Sequence, residues 1–360
     1  MSVSTQAAPS TVDELLNQSG PAALEISGAG RSAFNGQVVA TEGAILGLAH
    51  WDGTLYLDRE CILDPLEQMY SHAGAKQPVP TLLHYREALA TLLHEHAHFL
   101  GASGASQDAA REAFLKPGSR ELEEGVAEAW AQDNLNAYLT RLGVDKVAPG
   151  IENVETAGHY NAFVPAVRRL SSDLEARSEL DPGQVLNALN RETAAGQFPL
   201  LVSLIYNSSR LPELEPVGAT TRDDLESLLR QGLNHLDTYE GHPPGFAAAK
   251  SHATANDLLQ TVHQHIQSAG SAYTSDPSAC ALPAPALNTS PRPGDLTSDA
   301  SPAPAAAGAP ASARLTPSPV QTALSGVAPA RLLQPSTRVG APARGQRLTE
   351  VGFRVGRDAS

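Results

Sequence analysis

The chain has 360 residues, 41% hydrophobic and 5% aromatic, with a formal net charge of −14. That length suffices for one or two domains with a real core, and the acidic balance argues against nucleic-acid binding. Two cysteines, Cys61 and Cys280, exclude a disulfide scaffold and a Cys-type zinc site.

Residues 1–20 read as a flexible leader. They contain neither a basic n-region nor an apolar h-region, and no run of about 18 apolar residues occurs in the chain. A cytoplasmic location with no membrane partner is therefore expected, with non-classical export left open. Residues 24–62 read as strands and turns, and "WDGTLYLD" has hairpin character. After "QPVP" a helix is expected over 81–100, with Thr81 as its N-cap. A Gly/Ser loop starts at Gly101, and a short helix fits "SQDAAREAFL". Ser119 then caps a long helix that runs to Leu142 and stops at Gly143. Further helices are expected over 159–177, 183–195, 197–208, 222–237 and 252–268, and Pro182 suits a first helical turn.

From about residue 283, Pro, Ala, Ser and Gly dominate, and such a segment cannot bury enough apolar surface to offset its ordering entropy. Residues 283–360 hold eight Arg, no Lys and four acids, so they carry +4 against −18 for residues 1–282. The plain reading is a solvated linker; an acidic partner is the alternative. The expected organisation is a leader over 1–20, a folded domain over 21–275 and a disordered tail over 276–360. The folded domain divides into a β-rich part at about 24–62 and a helical part at about 81–270. Strands followed by helices define the α+β class.

The sequence "HEHAH" at 94–98 is a literal H-E-x-x-H. At 3.6 residues per turn, His94 and His98 stand on one helix face, where two imidazoles can reach one zinc ion at about 2.0–2.1 Å. Glu95 points about 100° away, placed to take a proton from an activated water as general base. Tyr85, Ala88, Leu89, Leu92, Phe99 and Leu100 form the apolar face, with His94 and His98 opposite. His96 falls inside the apolar stripe and reads as a core histidine. His84 also reads as structural.

A catalytic zinc site needs a third protein ligand. In the next long helix, Ala131, Leu135, Tyr138 and Leu142 form an apolar stripe that runs back into Glu128 and Glu124. Carboxylates on a buried stripe are costly unless paired or bound to metal. Glu124 is the candidate ligand. Glu128, one turn on, can hold the free N–H of a ligating imidazole. Glu121 and Glu123 are expected to face solvent. Gly125, unfavourable in a helix by about 1 kcal/mol relative to Ala, suggests close helix approach beside the metal.

"HEHAH" followed by "EEGVAEAW" resembles the gluzincins, the glutamate-ligand branch of the zincin metallopeptidases. The resemblance covers about residues 24–142 and implies a zincin-like fold: a small N-terminal sheet, an active-site helix and a helical lobe. It implies Zn2+ held by His94, His98 and Glu124, with Glu128 supporting the ligands, and hydrolysis of a peptide or protein substrate. The spacer of 25 residues between His98 and Glu124 is longer than in the best-known members. A metzincin pattern fails, because position 104 is Gly104. The family's oxyanion-stabilising Tyr or His has two candidates, Tyr160 and His159, in "TAGHYNAFVPAV". An edge strand within "LGLAHWDGTLYLD" is expected to bind substrate backbone, with Trp51 near the cleft or in the core.

His263 and His265 fall on different helix faces and do not suggest a shared metal. His235 and His242 read as surface residues. Two other classes stay open: a zinc-binding regulator or sensor that cuts nothing, and a helical interaction protein in which "HEHAH" is chance. The oligomeric state is not legible.

Overall fold

A computed structural model describes residues 8–43 and 45–275. The expected tail over 276–360 and the first seven residues of the expected leader lie outside the described residues.

The rest of that leader is a correction. Helix α1, Val12–Ser27, is capped by Thr11, whose side chain accepts the Glu14 N–H, and it ends at Gly28 with φ 63°. Its Leu15, Leu16 and Ser19 are buried. The helix runs through Gly20 and Pro21. A Cβ on Gly20 would lie 2.8 Å from Phe34 and 3.2 Å from the His96 ring. The glycine is there for close packing rather than to end the helix.

Five short strands follow: β1 (Arg31–Ser32), β2 (Val38–Thr41), β3 (Gly47–Ala49), β4 (Leu55–Asp58) and, later in the chain, β5 (Leu100–Gly101). β2, β4 and β3 form a mixed sheet in that order. β3 and β4 are antiparallel, with Leu48 opposite Tyr56, as the hairpin reading expects. β2 runs parallel to β4, and β1 pairs with β5. Asp58 caps a five-residue π turn, Arg59–Leu63, by accepting the Cys61 N–H. Helix α2 (Asp64–Ser71) follows, without an expected counterpart.

Helix α3, Val79–His98, starts two residues before Thr81, with Pro78 as cap and proline in the first turn, where a missing N–H costs nothing. It ends at His98 because Leu100 and Gly101 turn into β5. Helix α4 (Gln107–Phe114) is capped by Ser106. Helix α5, Ser119–Arg141, follows Gly118 and ends before Gly143, whose φ of 67° fits the left-handed stop. Next come α6 (Val144–Val147), α7 (Val164–Ser178), α8 (Gln184–Asn190), α9 (Ala194–Asn207), α10 (Leu211–Leu214), α11 (Thr221–Asn234) and α12 (Pro244–Ser275).

The described residues are thus mainly helical with a small sheet, an α+β arrangement. α5 is the central helix. Every residue from Glu121 to Ala131 is buried, because α1, α3, α7, α8, α9 and α11 surround it. Trp130, Tyr85, Tyr138, Phe163 and Phe198 are among the largest fully buried side chains, each contributing roughly 1.5–3 kcal/mol by burial. No described helix is long and apolar enough to cross a membrane.

Candidate metal centre

The centre lies where the last turn of α3 packs on the second turn of α5. One turn apart on α3, His94 and His98 bring their Nε2 atoms to 3.1 Å. Glu124 Oε2, from α5, lies 3.3 Å from the His94 Nε2 and 3.4 Å from the His98 Nε2. An ion holding tetrahedral ligands at about 2.0–2.1 Å separates them by about 3.3–3.4 Å, so the triangle has the right size. Glu124 Oε2 is buried and accepts no hydrogen bond from the protein. Among the described residues, these three side chains form the group whose ligand atoms converge and that could hold a metal ion.

Each imidazole has a further carboxylate at its other nitrogen. Glu128 Oε2 lies 3.0 Å from the His94 Nδ1, off the line of a formed hydrogen bond. Glu123 Oε1 lies 3.3 Å from the His98 Nδ1. Glu123 corrects the sequence reading, which puts it in solvent. It and Glu121 are both buried, because α5 is enclosed on all sides at this level and helical phase alone does not reveal that. Such outer carboxylates fix the tautomer and aim of a ligating ring. Glu128 is itself anchored: its Oε1 accepts the His159 backbone N–H at 2.7 Å and the Gln132 Nε2 at 2.8 Å.

Electrostatics follow from this crowding. Burial alone would make His94 less basic, but Glu124 and Glu128 outweigh it and raise its pKa to about 9. His98 is likewise raised, by Glu124 and Glu123 acting against burial. Burial works to raise the Glu124 carboxyl, and the two imidazoles pull it well below the usual carboxylate range. An enclosed excess of carboxylates over imidazoles favours a bound cation.

Glu95 sits beside the triangle. Its Oε2 accepts the Ala49 N–H from β3 at 2.8 Å, and burial raises its pKa. Gly47 permits this approach, since a Cβ there would lie 2.5 Å from the Glu95 Cγ. The sequence reading missed Gly47. A glycine in a short apolar run is the only sequence signal, marking close backbone approach. Asp58 donates its N–H to the Leu46 carbonyl, and His50 to the Thr54 carbonyl. The intervening Gly47 and Ala49 therefore turn their backbone groups to the open edge of the sheet.

Two clefts meet at Glu95. The larger, about 430 Å3, includes His94, Thr91, Tyr160 and Phe163 in its lining. The smaller, about 40 Å3, is lined by His98, Glu124, His50, Trp51 and Phe114. Trp51 thus stands at the cleft, in a T-shaped contact with Phe114.

Tyr160 and His159 separate. The Tyr160 ring stacks on His94 at 5.3 Å and 5°, and its backbone takes φ 52°, uncommon for a residue with a side chain. Its hydroxyl is buried with no hydrogen-bond partner; burial and the charges of Glu124 and Glu95 hold its pKa well above that of a free phenol. His159 is exposed, lines the larger cleft and donates its backbone N–H to Glu128. The left-handed turn also explains why α7 starts at Val164 rather than at 159.

Gly125 permits the close helix approach expected of it. A Cβ there would meet Val167 at 2.6 Å and Phe163 at 3.2 Å, so the helix that approaches is α7 with the residue before it. His96 is a core residue: its Nε2 lies 2.6 Å from Ser19 Oγ, and burial drops its pKa to about 3. His84, His235 and His242 are exposed. His263 pairs with Asp173 and His265 faces Asp224, so those two do not converge. No known protein family, curated protein or solved structure matches the chain.

Proposed function

We propose that the protein is a zinc-dependent metallopeptidase with a zincin-like arrangement, in which His94, His98 and Glu124 hold the ion. The triangle of two Nε2 atoms and one buried carboxylate oxygen, with Glu95 held beside it by β3, is the observation that carries this reading. Two imidazoles and a carboxylate suit zinc among the common ions. When bound, zinc supplies a Lewis acid that polarises a carbonyl and makes water acidic. Glu95 takes the proton from the attacking water and returns it to the departing amine. The Ala49 N–H keeps its carboxylate aimed. Tyr160, with an unpartnered buried hydroxyl at the same place, is suited to donate to a developing oxyanion. The Ala49 N–H of the β3 edge is taken by Glu95, and the Gly47 backbone beside it can align an extended peptide by strand addition.

The test is elemental analysis of the purified chain together with product analysis on a peptide library. The expected result is about one zinc per chain and defined cleavage products. Glu95→Gln should keep the zinc and lower turnover by roughly 10²–10⁴-fold. Full zinc with no cleavage of any peptide would favour a regulator or sensor instead, and a chain without zinc would sink the reading.

A further inference from the structure

Arg86 lines the larger cleft and has no part in the chemistry above. It stands on α3 two turns before His94, and only 8% of its surface is exposed. Its Nη1 donates to Asn136 Oδ1 at 2.7 Å and to the Ile151 carbonyl at 3.1 Å. Its Nε is buried with no acceptor. Both of its partners are neutral, and among the described residues no carboxylate forms an ion pair with it. Glu152 and Glu155 act on it only from longer range. Arg120, also in a walled position, is paired twice, to Asp237 and to Glu240. A guanidinium taken out of water without a counter-charge is costly. Its fork of donors matches a carboxylate better than any neutral acceptor.

We propose that Arg86 is the receptor for a carboxylate of the substrate, held three or four residues from the bond that is cut. The second half of this statement rests on the peptidase reading. Eight residues of helix separate Arg86 from His94, about 12 Å along the axis, and an extended chain covers about 3.3–3.6 Å per residue. Ala90, Ala131 and Leu135 line the same cleft, an apolar setting that strengthens a charge pair. Glu87 and Glu155 also line it and would repel a second acid, so one carboxylate is accepted and a polyacidic segment is not. The carboxylate has two sources, the free C-terminus of a peptide or an Asp or Glu side chain within one. The first would make the products tripeptides or tetrapeptides released from a C-terminus.

Calorimetry on the full zinc-loaded chain separates these outcomes with three probes: acetyl-Gly-Leu, its C-terminal amide, and acetyl-Gly-Asp amide. The free acid should bind at least tenfold more tightly than its amide, and Arg86→Gln should erase that difference with zinc content unchanged. Binding of the Asp amide at the level of the free acid shows that side-chain carboxylates are received as well; weak binding restricts the site to the C-terminus. Because Arg86 also braces Asn136, a second variant, Asn136→Asp, keeps the guanidinium and gives it a fixed carboxylate. The free acid should then lose its advantage. Equal binding of acid and amide by the unaltered chain would overturn the proposal. So would a preference that survives either substitution, since the carboxylate would then sit on the cation. A chain that prefers the acid yet cuts no peptide ends the peptidase reading and leaves Arg86 a carboxylate receptor.

Discussion

On the cleft face of α3, His94 and His98 stand among Glu95, Glu123, Glu124 and Glu128. On the core face, at the position between them, His96 stands among apolar side chains with one hydroxyl, that of Ser19. Burial pushes all three rings toward the neutral form. The carboxylates reverse that push for His94, which rises to about 9, while nothing reverses it for His96, which falls to about 3. A rotation of about 200° over two residues therefore gives His94 and His96 opposite chemistry. Side-chain identity fixes what a group can do, and the facing helix decides which of those things it does.

The harshest way to break this comparison is to empty the cleft face of its central acid. Glu124→Ala should lose zinc affinity by more than the roughly 10–100-fold typical for an outer partner of a metal ligand, as read by metal content after dialysis. Retention of full zinc in that variant would show that Glu123 or Glu128 is the ligand instead. A smaller effect is expected where the sheet meets the same face. Gly47→Ala puts a methyl group against Glu95 and displaces the carboxylate by about 1 Å, enough to lower turnover roughly 10²-fold while zinc stays bound. Unchanged turnover would remove β3 from the positioning of Glu95. The mildest change belongs to the core face. Ser19→Ala leaves the buried His96 nitrogen without a partner and should cost about 1–3 kcal/mol of stability in denaturant unfolding, with zinc content and turnover unaltered. A loss of zinc in that variant would mean that the two faces are not independent.

What the sequence discloses follows from how far each signal depends on neighbours. His94, Glu95 and His98 are legible because their geometry is internal to one helix. Glu124 and Glu128 are legible because they interrupt an apolar stripe with charge. Glu123 is not: its burial requires knowing that α5 is covered on every side, and an amphipathic projection assumes that one side is wet. α1 is hidden for a related reason. Gly20-Pro21 carries the composition of a chain break, and only the proximity of Phe34 and His96 shows why a small residue is needed inside a helix there. The left-handed backbone at Tyr160 has no local signal either, so the start of α7 is placed too early. The sheet is legible as strands and a hairpin, but not the parallel pairing of β2 with β4, which depends on a crossover.

Because α1 underpins α3, the natural cut point for a shortened chain is not where composition suggests. A fragment beginning at residue 21 would discard Leu15, Leu16 and Ser19, leaving a void behind the very turn of α3 that carries the motif. Such a fragment would be expressed with every catalytic candidate present and would still present them on an unsupported scaffold. Any trimming should therefore stop ahead of Thr11, the residue that starts the first helix.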